Sequence, residues 1–209
     1  MDQKIKISEK HFPHEAFPFI NEILDQNEFR LKIVRSRTTK FADFKPPCKI
    51  NKIPTITINN NLNPYLFLIT FLHEFAHFQV WKERKFYAKP HGRTWKNNYS
   101  KLIQAMINMR VFPEVLSHRL TEHIQNPKAT SCTDTRLYKI LSTFDAENKG
   151  VFVDDIPDGA VFKTHDGQVF KKEKKIRKRI LCTNQKKNRK YLFSPIYKVF
   201  PLEKEEYRS

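Results

Sequence analysis

The chain has 209 residues, a formal net charge of +17 and a pI of about 9.8. Its 39% hydrophobic and 13% aromatic residues can fill a core, which excludes a wholly disordered chain. No GxGxxG or GxxxxGK[ST] pattern supports a nucleotide-phosphate cradle, and the scattered Cys48, Cys132 and Cys182 exclude a four-cysteine zinc site and a disulfide framework.

The polar opening MDQKIKISEK has no signal-peptide character. Phe17 to Phe29 reads as an amphipathic helix, with Phe19, Ile20, Ile23 and Leu24 at helical spacing. Leu31 to Arg37 alternates like a strand, TTKFADFKPP gives a second, and PTITINNNL a third. Asn63-Pro64 opens a helix that runs to about Arg84. Its most apolar run, Tyr65 to Leu72, is far short of the roughly 20 residues a membrane span needs. A cytoplasmic protein is expected, in a reducing setting that includes the nucleoid, with a monomer as the simplest state.

A lysine-rich loop, Lys82 to Pro90, leads to His91-Gly92, which opens another helix carried by Trp95, Tyr99, Leu102, Ile103 and Met106. FPEVLSHRLTEHI reads as one more helix, and NPKATSCTDTRLYKILSTFD as a turn and a short helix. From Val151 onward the pattern changes to short strands and turns, including a hairpin at Asp166-Gly167 and strands in RKRILCTN and RKYLFSP. The expected division is residues 1–148, mixed α and β, then 149–209, a basic antiparallel β-module.

Within the long helix lies His73-Glu-Phe-Ala-His77. Residues four apart share a helix face, so His73 and His77 can ligate one metal ion. Glu74, one position on, reaches a metal-bound water without ligating the ion. Zinc acidifies such a water, and Glu74 as general base then drives attack on a carbonyl. The rival reading is a core helix with two satisfied histidines, because Phe71, Leu72, Phe75, Ala76, Phe78, Val80 and Trp81 surround the motif. Burying a glutamate and two histidines without a partner is costly, and a metal removes the cost.

A catalytic zinc needs a third protein ligand. Val80 and Glu83 exclude the metzincin pattern, which requires glycine and histidine there. His91, at the start of the next helix, is favoured. Glu114 is the alternative, with His118 and His123 as weaker, surface-type candidates.

HEFAH followed by HGRTW resembles the SprT-like metallopeptidases, relatives of the Spartan proteases. IVRSRTTKFADFKPP, ITINNNLNPYLFLITFLHEFAH and NPKATSCTD extend the likeness over about residues 15 to 145. The resemblance implies an α+β fold: a minimal zincin domain, with a small mixed sheet packed on helices. It implies one Zn2+ ion held by His73, His77 and His91, with Glu74 as catalytic base. It also implies protein substrates associated with DNA, including crosslinked ones. Many relatives end in a four-cysteine zinc ribbon. This tail has only Cys182, so a ribbon-like module without the cysteines is expected. Ala42 stands where the family commonly has glycine.

Between Lys163 and Lys198 thirteen Lys/Arg face only Asp166 and Glu173. Lys171, Lys172, Lys174, Lys175, Arg177, Lys178, Arg179, Lys186, Lys187, Arg189 and Lys190 are the expected nucleic-acid contacts. Phe162, Phe170, Tyr191, Phe193 and Tyr197 suit base stacking, though a small core claims them first. Binding without strong sequence preference follows, and no membrane partner is expected, since no basic amphipathic helix is visible.

Three functional classes follow. The first is a zinc metallopeptidase of nucleic-acid-associated proteins. The second is a nucleic-acid-binding or transcription-associated factor with a structural or vestigial zinc domain. The third is a zinc hydrolase of a small substrate.

Overall fold

The computed structural model describes residues 10–37, 39–84, 89–128, 134–146 and 149–203. Residue 148, Cys132 and part of the Lys82–Pro90 loop lie outside them. The chain is mixed α and β, in two compact units, Met1–Ala146 and Glu147–Ser209.

In the first unit a short 3-10 helix (His14–Ala16) leads into α1 (Phe17–Gln26). The helix stops three residues short of Phe29. Asn27 turns extended, and its side-chain amide donates to the Ile23 carbonyl at 2.9 Å, closing the last turn. The strands β1 (Arg30–Val34), β2 (Ala42–Lys45) and β3 (Thr55–Asn59) form a sheet of order β1-β3-β2. β1 runs parallel to β3 and β2 antiparallel, so the sheet is small and mixed. β1 ends at Val34 rather than Arg37. The Arg37 guanidinium leaves the strand line and donates to Asn59 Oδ1 at 2.9 Å and Thr57 Oγ1 at 3.2 Å.

The helices are α2 (Pro64–Arg84), α3 (Arg93–Asn108), α4 (Glu114–His123) and α5 (Thr135–Ser142). Asn63 caps α2, its Oδ1 accepting from the Leu66 N–H at 3.0 Å. Its amide donates to the Leu141 carbonyl at 2.9 Å and Asp145 Oδ1 at 2.7 Å, so one side chain starts α2 and anchors the end of α5. α2 is apolar on nearly every side and is the centre of the core. Leu66, Phe67, Leu68, Ile69, Phe71, Leu72, Phe75 and Phe78 are buried against Ile56 and Ile58 of β3 and Ile20 of α1. Each such side chain contributes roughly 1.5–3 kcal/mol of burial. From α3, Trp95, Tyr99, Leu102, Ile103 and Met106 complete the core.

The second unit is a six-stranded antiparallel sheet of order β4-β9-β5-β6-β7-β8. Its strands are β4 (Val151–Phe152), β5 (Val161–Lys163), β6 (Val169–Ile176), β7 (Arg179–Asn184), β8 (Lys190–Phe193) and β9 (Lys198–Pro201). Val153, Ile156, Phe162, Phe170, Ile180, Cys182 and Val199 form its core. Phe162 and Phe170 are therefore core side chains, while Tyr191 and Tyr197 stay exposed. Cys182 is fully buried, and burial pushes its thiol up to about 12. Among the described residues, no helix is long and apolar enough to cross a membrane.

Candidate metal centre

One helix and one turn build the site. His73 and His77 lie one turn apart on α2. His91 comes from the turn before α3, where the Gly92 N–H donates to the Lys89 carbonyl at 3.0 Å. Pro90 holds the second turn position and His91 the third, with φ +56°. Turns with proline second and positive φ third ordinarily put glycine there. A histidine costs about 1 kcal/mol or more at that backbone angle. Gly92 follows because a Cβ there would stand 3.0 Å from the Lys89 carbonyl oxygen.

The three imidazoles converge through one nitrogen each. His91 Nε2 is 3.0 Å from His77 Nε2 and 3.2 Å from His73 Nε2. Nitrogens arranged tetrahedrally around zinc, at about 2.05 Å each, stand about 3.3 Å apart. The spacing matches such a set, and the cluster could hold a metal ion. Burial depresses all three imidazoles. His73 is held well below the usual histidine range, with His77, His91 and His123 adding to the effect. His77 falls to about 4 through burial and then His91, and His91 falls through burial. The three imidazoles are therefore neutral at pH 7, the form in which histidine can bind a metal.

Glu74 follows His73 on α2 and meets the sheet at β2. It is 9% exposed, and its carboxyl rises to about 7, first by burial and then through Asp43. A hydrogen bond from the Phe44 backbone N–H opposes the rise, as do the charges of Lys40 and Arg37. A cation on the imidazoles would also act against it. That Phe44 N–H is turned away from β3, so Glu74 sits against the free edge of β2.

Trp95, read in the sequence as a helix core position and as the end of the HGRTW stretch but given no role at the site, touches all three histidines. Its ring lies 4.6 Å from His73, 5.4 Å from His77 and 4.7 Å from His91. Its position four residues after His91, on the first turn of a helix, was the available signal.

The other third-ligand candidates lie elsewhere. Glu114 is exposed at the start of α4. His118 is exposed and lies 3.8 Å from Glu122. His123 is corrected: it is no surface residue but 4% exposed, its Nδ1 2.8 Å from Asp134 Oδ2. Asp134 also accepts from Arg119 at 2.7 Å and from the Leu137 N–H at 3.2 Å, which caps α5. Arg119, His123 and that N–H hold the Asp134 carboxyl down to about 2, against its burial. Among the described residues, His73, His77 and His91 are the one group of three or more His, Cys, Asp or Glu able to hold a metal ion.

The basic residues of the second unit do not form one run in space. Arg177 and Lys178 sit at the β6–β7 turn, and Lys186, Lys187 and Arg189 at the β7–β8 turn, opposite ends of the sheet. Lys171 and Lys190 flank Thr183 in one cross-strand row. Arg179 pairs with Ile176, Lys174 lies in the bulge, and Lys175 reaches Asp154 at 2.9 Å. All of these are exposed. Lys172 is the correction. It is 5% exposed, and its ammonium donates to the Ile156 carbonyl at 2.6 Å and the Asp154 carbonyl at 3.3 Å, with Asp158 at 3.4 Å. It is a structural cation, unavailable to phosphate.

No family model matches the chain, and no curated protein or solved structure is significantly similar to it.

Proposed function

We propose that the chain is a zinc-dependent metallopeptidase of SprT-like, zincin type. Its substrates are proteins held on nucleic acid, including proteins crosslinked to DNA. The observation that carries this reading is the meeting of three neutral imidazoles beside a buried carboxyl. His73, His77 and His91 would hold the ion. Zinc bound there supplies a Lewis acid and a water acidified toward neutrality. Glu74 takes a proton from the attacking water and hands it to the leaving amine. A structural site needs no such base, so an intact Glu74 supports catalysis over scaffolding.

The free edge of β2 supports a peptide substrate over a small molecule, since an edge strand offers backbone donors and acceptors to an extended chain. The exposed lysines and arginines of the second unit support a polyanionic partner. A ribbon-like module without metal is the reading for that unit, with Cys182 and Phe162 in its core. A nucleic-acid-binding factor with a structural zinc is the second reading, favoured by the same basic set.

The test compares wild type with Glu74→Gln for degradation of a DNA-bound protein, with and without DNA. Cleavage should fall by about 10²- to 10⁴-fold in the variant while zinc is retained. Equal activity in the two proteins sinks the metallopeptidase reading. Cleavage indifferent to DNA removes the role of the basic unit, and so does DNA affinity that is flat with salt.

A further inference from the structure

Trp95 is 1% exposed, and its ring packs against all three candidate ligands. Its ring meets His73 at 61° and His91 at 82°, edge to face, and lies at 32° to His77. Each imidazole therefore presses on the indole in its own orientation. The indole N–H donates to the His73 backbone carbonyl at 3.3 Å. In an α-helix that carbonyl also accepts from the N–H of residue 77. One hydrogen bond thus ties α3 to the turn of α2 that carries both histidines.

The indole is itself backed. Tyr99 stacks on it at 5.1 Å and 14°, fully buried one helical turn further along α3. Tyr99 meets His123 edge-on at 6.2 Å, and His123 is fixed by Asp134. A side chain fixed on every side is a floor rather than a filler.

We propose that Trp95 is a positioning residue. It holds the imidazoles of His73, His77 and His91 at ligating distance before any metal arrives. The proposal rests on the zinc reading above. A mere core filler would cost stability when truncated and leave zinc affinity of the folded protein alone. A positioning residue changes the affinity and the ligand field as well.

The experiment uses the full chain, purified and stripped of metal. Zinc affinity is measured by chelator competition, and the Co2+-loaded protein is examined by visible absorption. Wild type, Trp95→Leu and Trp95→Phe are compared, with melting of the metal-free proteins recorded alongside. Trp95→Leu should bind zinc about 10- to 100-fold more weakly and show altered cobalt bands. Trp95→Phe, which keeps a flat ring, should recover most of the affinity. The chain has two tryptophans, Trp81 and Trp95. In Trp81→Phe protein, emission from Trp95 should change on adding one equivalent of Zn2+.

A folded Trp95→Leu with wild-type zinc affinity and wild-type cobalt bands overturns the proposal. If that variant does not fold, the Trp95 emission decides: indifference to zinc overturns the proposal and a response supports it. Wild type that binds no zinc overturns the zinc reading, and this proposal with it.

Discussion

Tyr99 packs near two histidines of very different company, His73 at 5.7 Å and His123 at 6.2 Å. His123 meets the Asp134 carboxylate, which also accepts from the Arg119 guanidinium and from the Leu137 N–H at the start of α5. Around His73 the neighbours are two more imidazoles, all presenting Nε2 to one point. Neutral imidazoles offer at most one donor each, and His91 Nε2 stands 3.0 Å from His77 Nε2 and 3.2 Å from His73 Nε2, so the three cannot satisfy one another well. The first cluster is closed by its own chemistry and has a structural role. The second is a set that could hold a metal ion. Both look alike as histidines in a helix, and only their partners separate them.

The comparison can be broken from either side. Asp134→Ala should have the largest effect on folding. It strands Arg119 and His123 and removes the α5 cap, costing about 3–5 kcal/mol in denaturant unfolding. Zinc stoichiometry of the folded fraction should stay at one; loss of zinc there would merge the two clusters.

His77→Ala should do the reverse. Three ligands sharing a binding free energy on the order of 10 kcal/mol lose about a third of it, a drop in zinc affinity of roughly two orders of magnitude. Metal-free stability should move far less than with Asp134→Ala. Glu114→Ala should leave zinc untouched.

Acid sharpens the distinction. Asp134 titrates at about 2 in the folded protein, below its ordinary value, so its contribution is complete above about pH 4. It is lost as pH falls through 2. His123 is lowered by burial, which moves part of the loss to below the ordinary histidine range. The Asp134 share should be roughly 1–2 kcal/mol, at the low end because its partner Arg119 also pairs with exposed Glu122. Unfolding measured from pH 6 to 2 should slope accordingly, and Asp134→Asn should flatten it.

The smallest effect is the most diagnostic. His91→Gly relieves a positive φ, so metal-free protein should gain about 1 kcal/mol while zinc affinity collapses. A destabilised metal-free variant would show that His91 is held there for packing.

Much of this was readable beforehand where local chemistry decides. Asn63-Pro64 marks the start of α2 because capping needs only neighbouring residues. His73, Glu74 and His77 share a helix whose pitch fixes their spacing. What escaped depends on distant residues. His123 is buried by Asp134, eleven positions away and across a loop. β4 has two residues, too few for any alternation to register, and β9 ends on Pro201. The inward turn of Lys172 is invisible in KKEKK, where no apolar residue marks the core face.

Lys172 shares the face of Phe170 in a regular register, and an irregularity follows it, between Lys172 and Lys175. A strand has two faces, and its residues take them by odd and even count. The bulge adds one to the count. It allows Lys172 opposite Cys182, and Lys175 opposite Ile180, to face the same side although three positions separate them. The segment therefore behaves like a reading frame. Substitutions at Glu173 or Lys174 leave the frame intact. Deleting either one removes the extra residue, so that Lys172 and Lys175 stand two positions apart, as Cys182 and Ile180 do, and share a face by plain alternation with the bulge gone. In this strand the extra residue serves the local bend of a bulge rather than the pairing on either side of it.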